Sequence, residues 1–130
     1  MNPGDVLFWP NFTFVDGDQS DKLLVVLAVR STDSARFMFK TTKQAKRYFK
    51  YDNDGCHAEA SVHRFKQNLA GFKIPTWIQF DSPIFRSLIQ ANTDGAHVIF
   101  SLKPNDLKAI INCYRRSPDC SDRLADLLPK

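Results

Sequence analysis

Seven consecutive apolar residues, Leu23-Leu24-Val25-Val26-Leu27-Ala28-Val29, constrain this chain more than any other feature. The run has the length of a strand and lacks the alternation of a half-buried one, so it predicts a central strand covered on both faces. It is far shorter than the roughly 18 apolar residues of a membrane span, and no membrane association is expected. Shorter runs on either side supply neighbours. Val6 to Trp9 reads as a first strand ended by Pro10, which cannot donate to a ladder. Asn11 to Lys22 reads as a loop around Asp16-Gly17-Asp18, and Arg36 to Lys40 as a third strand. Asp52-Asn53-Asp54-Gly55 is a turn signal, and Val62 to Phe65, Thr76 to Phe80 and His97 to Leu102 read as further strands. Ile84 to Ile89 suits a short helix or an extended segment equally.

The C-terminal region changes period. Leu107, Ile110, Ile111 and Tyr114 repeat at i, i+3, i+4 and i+7, one apolar stripe on a helix. Pro104 fits the first helical position, while Asp106 in the first turn and Arg115 and Arg116 in the last complement the helix dipole. Ser117-Pro118 stops that helix, and Leu124, Leu127 and Leu128 suggest a short terminal one. Many short strands followed by helices predict one domain over residues 1–130, α+β and mainly β, built as a small partly closed barrel with C-terminal helices. At 43% hydrophobic and 25% charged residues the chain can bury such a core and is not disordered in composition.

Met1 to Asp5 carries no basic or apolar leader region, and Cys56, Cys113 and Cys120 are an odd number without framework spacing. Both features lead to the expectation of a cytoplasmic protein in a reducing compartment. The formal charge is +4. Much of it falls in one stretch, Lys40, Lys43, Lys46, Arg47 and Lys50, interleaved with Tyr48, Phe49 and Tyr51. This is either a solvated face or a phosphate-tracking stripe with rings for base stacking.

Three segments in order carry a family resemblance: Gly4-Asp5-Val6-Leu7-Phe8-Trp9, then Leu23-Leu24-Val25-Val26-Leu27 after a polar loop, then Phe39-Lys40-Thr41-Thr42-Lys43-Gln44. Together with Ser101-Leu102, the helix from Pro104 and Ser117 near its end, they resemble the MazF/PemK-type toxins of toxin–antitoxin systems. The resemblance implies an SH3-like, CcdB/PemK-type small barrel and a homodimer held in check by a small acidic antitoxin. The implied activity is an endoribonuclease that cuts single-stranded RNA through a 2′,3′-cyclic phosphate, without metal or cofactor. By position, the family's catalytic Arg falls at Lys22 and its hydroxyl at Thr42. Lys40, Thr41, Lys43, Gln44, Lys46 and Arg47 would then bind RNA. Asp21-Lys22-Leu23 stands where the family has Arg-Pro, so an ammonium point charge replaces a planar fork.

Two alternatives remain open: a non-catalytic binding module of the same fold, and a plain nucleic-acid-binding domain. Taken alone, Thr42 suits a turn hydroxyl, and His57 and His63 suit either loop histidines or a general base near neutral pH. Cys56, His57 and His63 lack a fourth ligand at zinc spacing. Trp9 and Trp77 read as core residues.

Overall fold

The computed structural model describes residues 1–14, 16–44, 46–66 and 71–128. Among these, eight strands and three α-helices run in the order β1 (Asp5–Thr13), β2 (Gln19–Val29), β3 (Arg36–Thr42), β4 (Gly55–His57), β5 (Val62–Phe65), β6 (Thr76–Gln79), β7 (Ile84–Arg86), α1 (Leu88–Thr93), β8 (His97–Ser101), α2 (Pro104–Arg115) and α3 (Asp122–Ala125). Single 3-10 turns lie at Phe49–Tyr51 and Ala58–Ala60. The fold is α+β and mainly β. All strand pairings are antiparallel, in the order β4-β5-β6-β3-β2-β1-β8, and the sheet is not closed. One edge of β3 is shared. Arg36 to Met38 pair with β7, whereas Thr41 and Thr42 pair with Ile78 and Trp77 of β6.

The apolar run occupies β2 and is buried on both faces, as its composition demands. Val25 and Leu27 enter a core with Val6, Phe37, Phe39, Phe80 and the α2 residues Ile110 and Tyr114. Leu24 and Val26 enter a second core on the opposite face with Leu7, Trp9, Met38 and Ile84, under Ala91 of α1. The stripe on α2 therefore packs on the sheet: Ile110 and Tyr114 are fully buried and Ile111 nearly so.

Three sequence expectations are corrected. First, β1 does not end at Pro10 but continues to Thr13, and β2 begins at Gln19, so the expected loop is mostly a hairpin. The register shifts between Trp9 and Phe12, and Asn11 sits at φ +51° with its backbone N–H donating to Asp21 Oδ1 at 2.9 Å. This bulge lets the strand pass a residue that has no N–H. Second, Ile84 to Ile89 is neither wholly helical nor wholly extended. It is β7 followed by α1, which Ser87 caps by accepting the Gln90 N–H at 3.0 Å. Third, the cysteines are not all free. Cys56 of β4 and Cys113 of α2, 57 residues apart, form a disulfide, and only Cys120 is a free thiol. Their Cα atoms come within 5.4 Å because α2 packs across β4 and β5, a proximity invisible in the spacing.

Candidate functional site

The pairing of β2 with β3 builds the site. Leu24 is opposite Lys40 where β2 pairs with β3, and beyond that pair Lys22 and Thr42 both line one groove. Thr41, Thr42, Lys43 and Gln44 lead out of β3 and form one wall of a groove of about 720 Å³ together with Lys22. The groove is lined further by Asp21 and Leu23 of β2, by Gly71, Phe72, Lys73, Ile74 and Thr76 before and at the start of β6, and by Phe8, Ile99 and Phe100.

Lys22 is half-buried, and its ammonium stands 5.6 Å from the centre of the Phe14 ring. Burial chiefly, then the positive charges of Lys40 and Lys43, pull its pKa below the usual lysine value. Asp21, whose carboxylate accepts the Asn11 N–H at 2.9 Å, lines the groove as well. The Thr42 hydroxyl accepts the Gln44 N–H at 3.2 Å, the turn hydroxyl its position suggests. Accepting leaves the hydroxyl its own proton to donate, so the same group can hold a turn and bind an oxyanion. Thr41 differs: its hydroxyl donates to the Leu23 carbonyl at 2.9 Å and ties β3 to β2.

Five of the eight residues proposed from sequence, Lys22, Thr41, Thr42, Lys43 and Gln44, are thus brought together. The other three do not line the groove. The Lys40 ammonium and the Arg47 guanidinium lie 3.8 and 3.5 Å from the two carboxylate oxygens of Asp81, and Lys46 is exposed outside the groove lining. Nor is the stripe an aromatic platform throughout. Tyr48 is buried against Trp77 and accepts the Gln79 amide at 2.9 Å, while Phe49 is exposed. The histidines stand apart as well. His57 is engaged with the Asn53 carbonyl at 2.7 Å. His63 is buried on β5, and desolvation lowers its pKa to about 4. Neither lines the groove, so neither is placed as a general base. Both tryptophans are core residues: the Trp9 indole donates to Asp94 and that of Trp77 to the Tyr51 carbonyl.

The sequence reading missed Lys73 and the apolar side of the groove. Lys73 carries no motif, and Phe8, Ile99 and Phe100 reach the groove only because β8 pairs with β1. Among the described residues no group of three or more His, Cys, Asp or Glu side chains is placed to hold a metal ion. No helix is long and apolar enough to cross a membrane. No protein-family model, curated protein or solved structure matches this chain.

Proposed function

We propose that the chain is a MazF/PemK-like toxin with a small SH3-like barrel, a metal-independent endoribonuclease acting on single-stranded RNA. The observation that carries the reading is that a partly desolvated lysine, Lys22, and Thr42 line one groove together with Lys43 and Lys73. Burial, then the charges of Lys40 and Lys43, lowers the Lys22 pKa from the ordinary lysine value, the direction a proton acceptor needs. In this mechanism Lys22 Nζ takes the proton of the ribose 2′-OH. The O2′–P bond forms, the P–O5′ bond breaks, and the departing 5′ oxygen is protonated by water. The products are a 2′,3′-cyclic phosphate and a free 5′-OH. The ammonium formed on Lys22, with the Thr42 O–H, then faces the charge that develops on the phosphoryl oxygens.

The remaining expectations belong to the same reading. Two copies pair as a homodimer, a small acidic antitoxin lays an extended segment across the groove lysines, and the protein works in the cytoplasm, where single-stranded RNA is met, although the cysteine argument for a reducing compartment falls with the Cys56–Cys113 disulfide. A second reading, a non-catalytic binding module of the same fold, is favoured by Lys22 itself, because an ammonium cannot engage two phosphate oxygens through a planar fork.

The experiment is RNA turnover under excess substrate in EDTA, with varied single-stranded sequences. Slow cleavage leaving 2′,3′-cyclic phosphate ends is expected. Lys22→Ala and Thr42→Ala should each lower the rate at least about tenfold, or ~1.4 kcal/mol of transition-state stabilisation. RNA binding with no turnover would select the binding module instead.

A further inference from the structure

The Cys56–Cys113 bond joins two sulfurs in unlike surroundings. Cys113 is fully buried on the inner face of α2, whereas Cys56 is partly exposed on β4, the outermost strand at its end of the sheet. A thiolate from solution therefore approaches from the Cys56 side, with Cys113 as the leaving group. The leaving sulfur has a partner waiting, the Val62 carbonyl 3.5 Å away, which can accept its S–H. Cys56 is also paired with His63 in the β4–β5 register, which puts both side chains on one face of the sheet. His63 Nδ1 is buried without a hydrogen-bond partner among the described residues, a polar atom in reserve for a sulfur released beside it. Apart from the bond, β4 is held from β5. None of its three residues is buried, and its ladder and the Asp54–Arg64 ion pair at 2.8 Å all lead to that strand. A train of contacts runs from this bond back to the groove. The His57 ring, next to Cys56, meets that of Tyr51 at 5.5 Å, and the Tyr51 carbonyl accepts the Trp77 indole N–H at 2.9 Å. Trp77 in turn pairs with Thr42.

We propose that Cys56 and Cys113 form a thiol–disulfide exchange site for a low-molecular-mass thiol and its disulfide, and that the closed bond fixes the segment between the groove and β4. In opening, a small thiolate attacks Cys56 Sγ. The S–S electron pair leaves on Cys113 Sγ, which takes a proton from water. A second small thiolate attacks the small-molecule sulfur of the mixed disulfide, and Cys56 leaves and is protonated likewise. The protein has gained two electrons and two protons, and two small thiols have become one disulfide. Closing runs these steps in reverse. In a reducing compartment such a bond opens and closes with the thiol pool. Its consequence for RNA rests on the ribonuclease reading: opening slackens residues 46–57 and with them the groove wall at Thr42, so the closed form is the better RNA binder.

The test uses the full chain carrying Cys120→Ser, so that only the pair can report as thiols. It is equilibrated without denaturant in glutathione buffers from oxidised to reduced, then read by thiol alkylation, amide hydrogen exchange and single-stranded RNA binding. Two alkylatable thiols should appear together as the buffer becomes reducing. Exchange in β4 and residues 48–54 should then quicken at least about tenfold while β2 and α2 stay protected, and RNA affinity should fall about tenfold. Adding Cys56→Ser should give the reduced behaviour in every buffer. A bond that stays closed at the reduced end until urea unfolds the chain overturns the site. So does a reduced form in which β2 and α2 exchange as fast as β4, because the bond is then a staple of the whole fold. Opening with unchanged exchange in β4 and residues 48–54, or with RNA bound equally well by both forms, overturns the coupling. If neither form binds RNA while the exchange difference is present, the site stands and the ribonuclease reading fails.

Discussion

Breaking the Cys56–Cys113 disulfide should be among the largest single perturbations to stability in this fold. The bond joins β4, in the short strands that flank β6, to the helix that covers the main core. With a sequence separation of 57 between the cysteines, the chain-entropy relation gives about 14 cal/mol/K removed from the unfolded ensemble, or ~4 kcal/mol at 25 °C. A small domain has only about 5–15 kcal/mol in total. Cys56→Ser is the cleaner variant, because Cys56 is partly exposed whereas Cys113 is fully buried in the core. The Cys113 thiol released in that variant has an acceptor at hand, the Val62 carbonyl 3.5 Å from its sulfur, so little of the loss should come from an unsatisfied group. Urea unfolding of the oxidised protein, the protein in excess dithiol and Cys56→Ser should give two low midpoints and one high one. The oxidised protein should also show the smaller m-value, since its unfolded chain stays more compact. Unfolding free energies that agree within about 0.5 kcal/mol would refute the argument, and three alkylatable thiols in the untreated protein would refute the pairing itself.

Three further outcomes follow from the same packing. His63 is held neutral, with a folded pKa of about 4 against an ordinary 6.5, so its contribution is complete above about pH 6.5 and is lost as pH falls towards 4. The loss should approach roughly 3 kcal/mol. Urea midpoints taken across that window should fall for the parent and stay level for His63→Phe over the His63 component. Ile110→Ala removes a fully buried side chain between α2 and the sheet and should cost about 2–5 kcal/mol in chemical denaturation; a change under 0.5 kcal/mol would contradict the packing. Single-stranded RNA affinity should fall with salt at a slope of about −0.7 per neutralised phosphate. Replacing Lys43 and Lys73 should flatten that slope more than replacing Lys40 and Arg47, which already face Asp81.

Local chemistry was legible wherever one segment carries its own instructions. An unbroken apolar run has no solvent face to offer, so β2 had to be central, and it is buried on both sides. A stripe at i, i+3, i+4 and i+7 with proline at its start and arginines at its end specifies a helix and the face it buries, as α2 does. Lys22 and Thr42 were named through the family resemblance, and the antiparallel pairing of β2 with β3 brings both to one groove.

What sequence order could not reach depends on contacts between segments far apart in the chain. Pro10 reads as a strand end from its missing N–H, yet an aspartate on the neighbouring strand holds the next residue in a bulge and pairing resumes. Cys56 and Cys113 are an unremarkable pair until α2 lies across β4. Lys40 and Arg47 look like free cations in a basic stretch, but Asp81, which follows β6, meets them both. The apolar wall of the groove joins residues from β1, β8 and the segment before β6. Spacing along a chain encodes the periodicity of one element; which side chains share a groove is decided by sheet order and packing, because those bring together residues that the linear sequence keeps apart.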